Sequence, residues 1–362
     1  MKGSGDRLCA HTSAFRVAVV YFGCCVGAGY LSGQELFQFF GAKGAFALPS
    51  LLLATIAIFL IGSVTLSLAR DTGEARMDRL VIWFDCKPLR TVVAAFEIVF
   101  LFMIYTLCVA AFGSFFSELL GISAFWGGLS LCLACTFLSL FGVKGLSRFC
   151  SLVVPPLALI TVAIALLAVC TAKDIRFTAV DVGGFLTGAW GFDGLTYAVF
   201  CLFCALPVLI PLGSTISGKK TAWHGSFFGA FLIGGVACVI LLALATSPAV
   251  TETVFPMLAL SLEKSTVFGA IYAALLCVAI LSASLSSLCA MSEGFMQRFS
   301  RKKRFLLPVT ALISITALAL GLFGFRELIG VLYPFFGYIG FIPMALLLVH
   351  ASLFYRKKKK KT

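Results

Sequence analysis

Residues 20–41 carry Gly23, Gly27, Gly29 and Gly33 inside an apolar run, followed at once by Gln34 and Glu35. A helix crossing lipid satisfies its own backbone groups, so glycines and a carboxylate at mid-span point to a helix that opens there around something polar. Where the chain leaves helical geometry, freed carbonyls can coordinate a cation, and the half-helix that follows presents free N–H groups to an anion. The simpler alternative is that these glycines only let helices pack closely. Ser32, Gln34 and Glu35 directly after them favour a binding site, with Gly27, Ala28, Gly29, Ser32, Gln34 and Glu35 as candidates to meet a substrate. Glu35 can bind a cationic group, take up a coupling proton or lie in a water-filled outer vestibule.

A second cluster places Ser282, Ser284, Ser286 and Ser287 within six residues. Ser286 and Ser287 follow Ala283 by three and four positions, so one carbonyl and two hydroxyls share a helix face. All-oxygen surroundings suit a hard cation such as sodium; serines in membrane helices also bond back to their own carbonyls and pack as small residues. Tyr105 and Thr106 lie at mid-span of another apolar segment, placed to hydrogen-bond a solute or to pack. Glu97 nearer that segment's start fits a gate or a packing ion pair with a cytoplasmic arginine, or equally a role in transport. Cys204, Ala205 and Leu206, just before Pro207 at an interruption of a later segment, are further candidates to meet the substrate, and Asp193 reads as the start of that helix. Glu293 reads as a surface or gating salt bridge, and His350 as interfacial.

These residues must be positioned within lipid. Of 362 residues 61% are hydrophobic and 12% charged, with a mean hydropathy of +1.07, which describes an integral membrane protein. Ten apolar segments run approximately over 14–41, 46–69, 90–117, 124–142, 149–171, 190–213, 224–246, 266–296, 304–323 and 329–355. The net charge of +13 lies between the segments as a topology signal, which argues against nucleic-acid binding. With a cytoplasmic N-terminus, only Lys43, Lys173, Arg176, Lys264 and Arg326 fall outside, so both termini are expected in the cytoplasm. Arg356 to Lys361 form a juxtamembrane tail that attracts anionic lipid. The fourteen cysteines, including Cys132/Cys135 and Cys201/Cys204, sit almost entirely in apolar segments and read as packing.

The pattern divides into halves. Spans one and six are each interrupted near the middle, spans three and eight are long, and five spans per half force the second half to enter from the opposite side. The expected division is an N-terminus over 1–13, a first repeat over 14–171, an outer connection over 172–189, a second repeat over 190–355 and a basic tail over 356–362. The fold class is all-α, ten transmembrane helices in a five-plus-five inverted repeat with discontinuous helices 1 and 6. Residues 71–89 read as a surface loop with a short helix, and residues 247–264 as an outer loop that either packs or serves as a lid.

The order Phe22-Gly23-x-x-Val26-Gly27-x-Gly29 resembles the first-helix motif of sodium-coupled leucine-transporter-fold proteins of the amino acid–polyamine–cation superfamily. Gly27-Ala28-Gly29-Tyr30-Leu31-Ser32-Gly33-Gln34-Glu35, with Leu206-Pro207-Val208-Leu209-Ile210-Pro211-Leu212-Gly213 and Leu332-Tyr333-Pro334-Phe335-Phe336-Gly337-Tyr338-Ile339-Gly340, resembles the YkvI-like membrane transporters over the whole chain. The resemblance implies alternating access, with a substrate site between helices one, three, six and eight. It also implies a sodium site at Gly23 and Val26 with Ala283, Ser286 and Ser287. Cys24 and Cys25 stand where some amino-acid transporters supply a polar side chain, so the resemblance leaves the substrate open.

The expected function is secondary active transport, a sodium-coupled symport of an amino acid or similar small polar solute. The alternatives are a ligand-binding sensor or scaffold of the same fold, and a proton-coupled or uncoupled carrier. Nothing in the sequence pairs a nucleophile with a base, clusters metal ligands or forms a nucleotide loop, so an enzyme is not expected and sodium is the sole small-ion partner inferred.

Overall fold

A computed structural model describes residues 13–139, 146–298 and 306–360, with side chains for all of these but 146–154 and 293–298. The expectations for the side chain of Glu293, for the N-terminal residues and for the end of the basic tail lie outside what is described.

The first helical segment is a chain of short pieces. Helix α1 (Ala14–Cys25) is capped by Ser13, whose Oγ accepts from Arg16 N at 3.2 Å. It stops because Val26 and Gly27 are extended, and α2 (Ala28–Leu31) starts after them. A second dislocation follows at Gly33, which is left-handed with φ 82°. A Cβ there would lie 3.0 Å from Met257 and 3.1 Å from Leu244, so both the angle and the space require glycine. Beyond it come α3 (Gln34–Leu36) and a π turn over Phe37–Gly41.

The remaining elements are α4 (Ala47–Thr72), α5 (Met77–Val81), α6 (Lys87–Leu120), α7 (Ala124–Ser139), α8 (Leu146–Thr171), α9 (Trp190–Ser214) and α10 (Lys219–Leu244). After them come α11 (Pro256–Lys264), α12 (Thr266–Arg298), α13 (Leu306–Gly321) and α14 (Phe325–Lys359). Six helices among the described residues are long and apolar enough to cross a membrane, and Ala14–Cys25, Ala124–Ser139, Pro155–Thr171 and Leu306–Gly321 are shorter apolar ones. Side chains such as Leu52, Leu133, Phe231 and Leu312 stay exposed on the periphery, where lipid rather than water is the compatible neighbour.

α1 packs along α10, α4 along α9 and α10, and α6 along α12 and α7, while α14 lies against α9. Tyr21 Oη donates to Ile58 O at 2.8 Å, tying α1 to α4 inside the core. Asp193, expected as a plain helix start, is wholly buried. It pairs with Lys43 and accepts from Thr187 N at 3.0 Å, Thr187 Oγ1 at 2.8 Å and Gly188 N at 3.1 Å, pinning the connection over 172–189 between the first segment and α9.

One expectation is overturned. The sixth span is not discontinuous: α9 runs unbroken through Pro207 and Pro211. Proline removes one N–H and its φ of about −65° remains helical, so buried surroundings can carry it without opening the helix. The loop over 71–89 does contain a short helix, α5, whose Met77, Leu80 and Val81 are buried. His350 Nδ1 lies 2.8 Å from Leu80 O and its ring stacks on Trp83, so this histidine clamps α14 to that loop. Residues 247–264 fold as a 3-10 turn (Pro248–Glu252) and α11, with Met257 N donating to Ser32 O at 2.9 Å.

Candidate functional site

The break in the first segment leaves backbone groups outside the helical ladder. Hydrogen bonds from α1 end with Val26 N to Phe22 O at 2.9 Å and resume with Leu31 N to Gly27 O at 3.0 Å. The carbonyls of residues 23–26 and the N–H groups of residues 27–30 therefore lie outside the i→i−4 pattern. Outside contacts hold the broken piece: Tyr30 Oη donates to Ile233 O, and Tyr272 Oη of α12 donates to Leu31 O at 2.6 Å. Ser32 Oγ turns back to Gly29 O at 2.8 Å.

A cavity of about 420 Å³ lies against this break, on the half of the bundle where α1 begins. Gly23, Val26, Ala283, Ser286 and Ser287 all line it, so the residues of the implied sodium site come together on its wall. Ser287 Oγ donates to Ala283 O at 2.9 Å and keeps its acceptor lone pairs, while Ser286 is exposed to the cavity side. Ser284 instead bonds Leu281 O at 2.8 Å and faces Cys135, away from the cavity.

Of the substrate candidates, Gly27, Ala28, Glu35 and Cys204 line the same cavity. Gly29 lines a smaller one of about 90 Å³ on the far half, roofed by Phe255 and Phe325, whose rings stack at 5.5 Å. Glu35 reaches the junction. Its Oε1 accepts from Tyr197 Oη at 2.7 Å, and Tyr333 approaches the other side of the carboxylate. A Cβ on Gly29 would lie 3.1 Å from Glu35 Oε2 and 3.3 Å from Tyr333 Oη, so the missing side chain is what lets the two meet over the break.

The other candidates are not brought to the cavity. Tyr105 is buried against Ser314, with Oη and Oγ 2.8 Å apart, and Thr106 Oγ1 bonds Phe102 O at 2.9 Å. Ala205 and Leu206 are fully buried within the unbroken α9. Ser32 is occupied by its own turn. Gln34 is fully buried, and neither its amide oxygen nor its nitrogen has a partner among the described residues. Glu97 is half-buried and makes no ion pair among the described residues. Sequence reasoning passed over Phe100, Phe200 and Tyr333, which line the cavity; aromatic residues are too common in this chain for their spacing to mark them.

The uncharacterized membrane protein YkvI of Bacillus subtilis (strain 168) is 24% identical over 327 residues, covering 90% of this chain and 93% of YkvI. The uncharacterized protein YyaD of the same organism is 24% identical over 339 residues, covering 92% of this chain and 96% of YyaD. The crystal structure of MhsT in complex with L-phenylalanine superposes with a TM-score of 0.62 at 16% identity, covering 97% of this chain and 93% of MhsT. The chain is YkvI-like and has the leucine-transporter-type fold. No protein-family model matches it. The similarity to YkvI covers 90% of this chain, which is a multi-pass membrane protein.

Proposed function

We propose that this protein is a secondary active transporter, a sodium-coupled symporter of an amino acid or a similar small polar solute. One observation carries the reading: the opened backbone of the first segment and the Ala283, Ser286 and Ser287 face of α12 line a single cavity, with a carboxylate at its inner end. Carbonyl and hydroxyl oxygens suit a hard cation, and MhsT, which shares the fold, was crystallised with an amino acid. The inverted repeat of five and five spans, the division at residue 171 and cytoplasmic termini belong to the same proposal.

With the termini in the cytoplasm, the larger cavity belongs to the inner half of the membrane. The far half is closed by the Phe255–Phe325 stack, by Phe115 against Phe255 at 6.0 Å and by the hydrogen bond from α11 to Ser32. The chain thus rests in an inward-facing arrangement. Sodium and solute are coupled through the conformational equilibrium when both favour the same state, because a ligand with equal affinity for both states shifts nothing.

Uptake by proteoliposomes under an imposed sodium gradient tests the proposal, paired with thermal denaturation in sodium and in a sodium-free buffer of equal ionic strength. Solute-dependent stabilisation that grows with sodium, about 2.7 kcal/mol at a hundred times Kd, supports it. Stabilisation indifferent to sodium points instead to proton coupling, uncoupled carriage or sensing. Binding without uptake leaves a ligand-binding scaffold.

A further inference from the structure

Glu35 is the one carboxylate lining the larger cavity, and no lysine, arginine or histidine lines it among the described residues. Its contacts are phenols, Tyr197 at 2.7 Å and Tyr333 opposite, which satisfy hydrogen bonds but bring no positive charge. Glu35 is 4% exposed, and an ion buried to that extent is costly without a counter-charge. On the far half, Lys43 is engaged by Asp193 and Arg326 donates to Glu252 O at 3.1 Å.

A second observation is independent of the first. Three rings, Phe100, Phe200 and Tyr333, share the wall with Glu35; Phe200 and Tyr333 stack at 4.1 Å, and Phe100 lies 6.0 Å from Phe200. Ring faces attract ammonium groups and favour an apolar body, whereas sodium needs several hard oxygens, which this cavity offers on a different helix at Ala283, Ser286 and Ser287. A solute carboxylate next to Glu35 would meet like charge, which acts as a specificity barrier.

We infer that the solute is an organic monocation, an amine with an aromatic or aliphatic body, its ammonium at Glu35 and its body against Phe100, Phe200 and Tyr333. The inference rests on the transporter reading of this cavity and narrows its solute from amino acids to amines. A volume of about 420 Å³ lies within the range of small-molecule sites.

The test is a charge series on one scaffold. Phenethylamine, L-phenylalanine, 3-phenylpropionate and 2-phenylethanol are titrated calorimetrically into the purified full-length protein, with sodium and without. Phenethylamine is expected to bind about tenfold or more tighter than the alcohol, the difference that 1.4 kcal/mol produces. Glu35→Gln is expected to remove that advantage while leaving the alcohol unchanged, and Phe100→Leu to weaken the amine severalfold. L-phenylalanine or 3-phenylpropionate binding as tightly as phenethylamine, an unchanged amine affinity in Glu35→Gln, or no amine binding at all would overturn the inference. If the glutamine variant does not fold, the series on the unaltered protein decides alone. Uptake assays separate the two readings: sodium-driven uptake of phenylalanine but not the amine sinks this inference and leaves transport standing, whereas amine binding without uptake of any solute does the reverse.

Discussion

The first segment and α9 were expected to match, each a helix broken at mid-membrane, and they differ. The first segment is interrupted at Val26 and Gly27 and again at Gly33, whereas α9 carries two prolines and stays whole. Glycine adjacent to extended residues gives up the ladder on both sides, while proline deletes a single donor and stays within helical angles. The two therefore make different contributions to the cavity. The first segment offers backbone from Gly23 to Ala28, and α9 offers side chains, Phe200 and Cys204 on the wall and Tyr197 on Glu35.

The largest expected effect comes from separating the two helices where they are pinned. Lys43→Met leaves Asp193 buried at the start of α9 without its cation, and should cost about 3–5 kcal/mol, read as a lowered thermal midpoint in detergent. A midpoint equal to the parent's would show that the Thr187 and Gly188 donors alone hold the carboxylate. Next is Gly29→Leu, which pushes a side chain between Glu35 and Tyr333. Overpacking of about 1–3 kcal/mol should weaken solute binding on the order of a hundredfold, with circular dichroism and gel filtration unchanged. Full binding in that variant would mean that the break does not meet the solute. Ser286→Ala combined with Ser287→Ala should then raise the sodium concentration at half-maximal stabilisation roughly tenfold; an unmoved midpoint would place the cation elsewhere. The smallest effect belongs to α9: Pro207→Ala should shift stability by no more than about 1 kcal/mol and leave binding intact. A large loss there would restore the symmetry that the structure removes.

Much of this was legible from local pattern. Glycine spacing located the break within residues 26–29, and apolar runs located the helices, because both signals act within a turn or two of the residues that carry them. Partners distant in the chain were not legible. Tyr105 looked like a solute contact until Ser314, 209 residues away, proved to take its hydroxyl. Asp193 looked like an ordinary first-turn acid because Lys43 is 150 residues earlier. The failure at Pro207 has another cause: proline in a sequence marks a lost donor, but whether the helix opens there depends on the packing around it. Tyr333 was quoted for its place in a motif, and only its approach to Glu35 and Gly29 gives it a role at the site.

The bonds that hold α2 come from elsewhere in the molecule, and this sets how easily the far half can open. Met257 N to Ser32 O and Tyr272 Oη to Leu31 O join the broken piece to α11 and α12. A conformation that draws α11 and α12 away forfeits both, about 2 kcal/mol at a typical net value near 1 kcal/mol each. Those two bonds alone correspond to a population ratio of roughly thirty to one, small enough for a bound ion or solute with a modest preference to reverse.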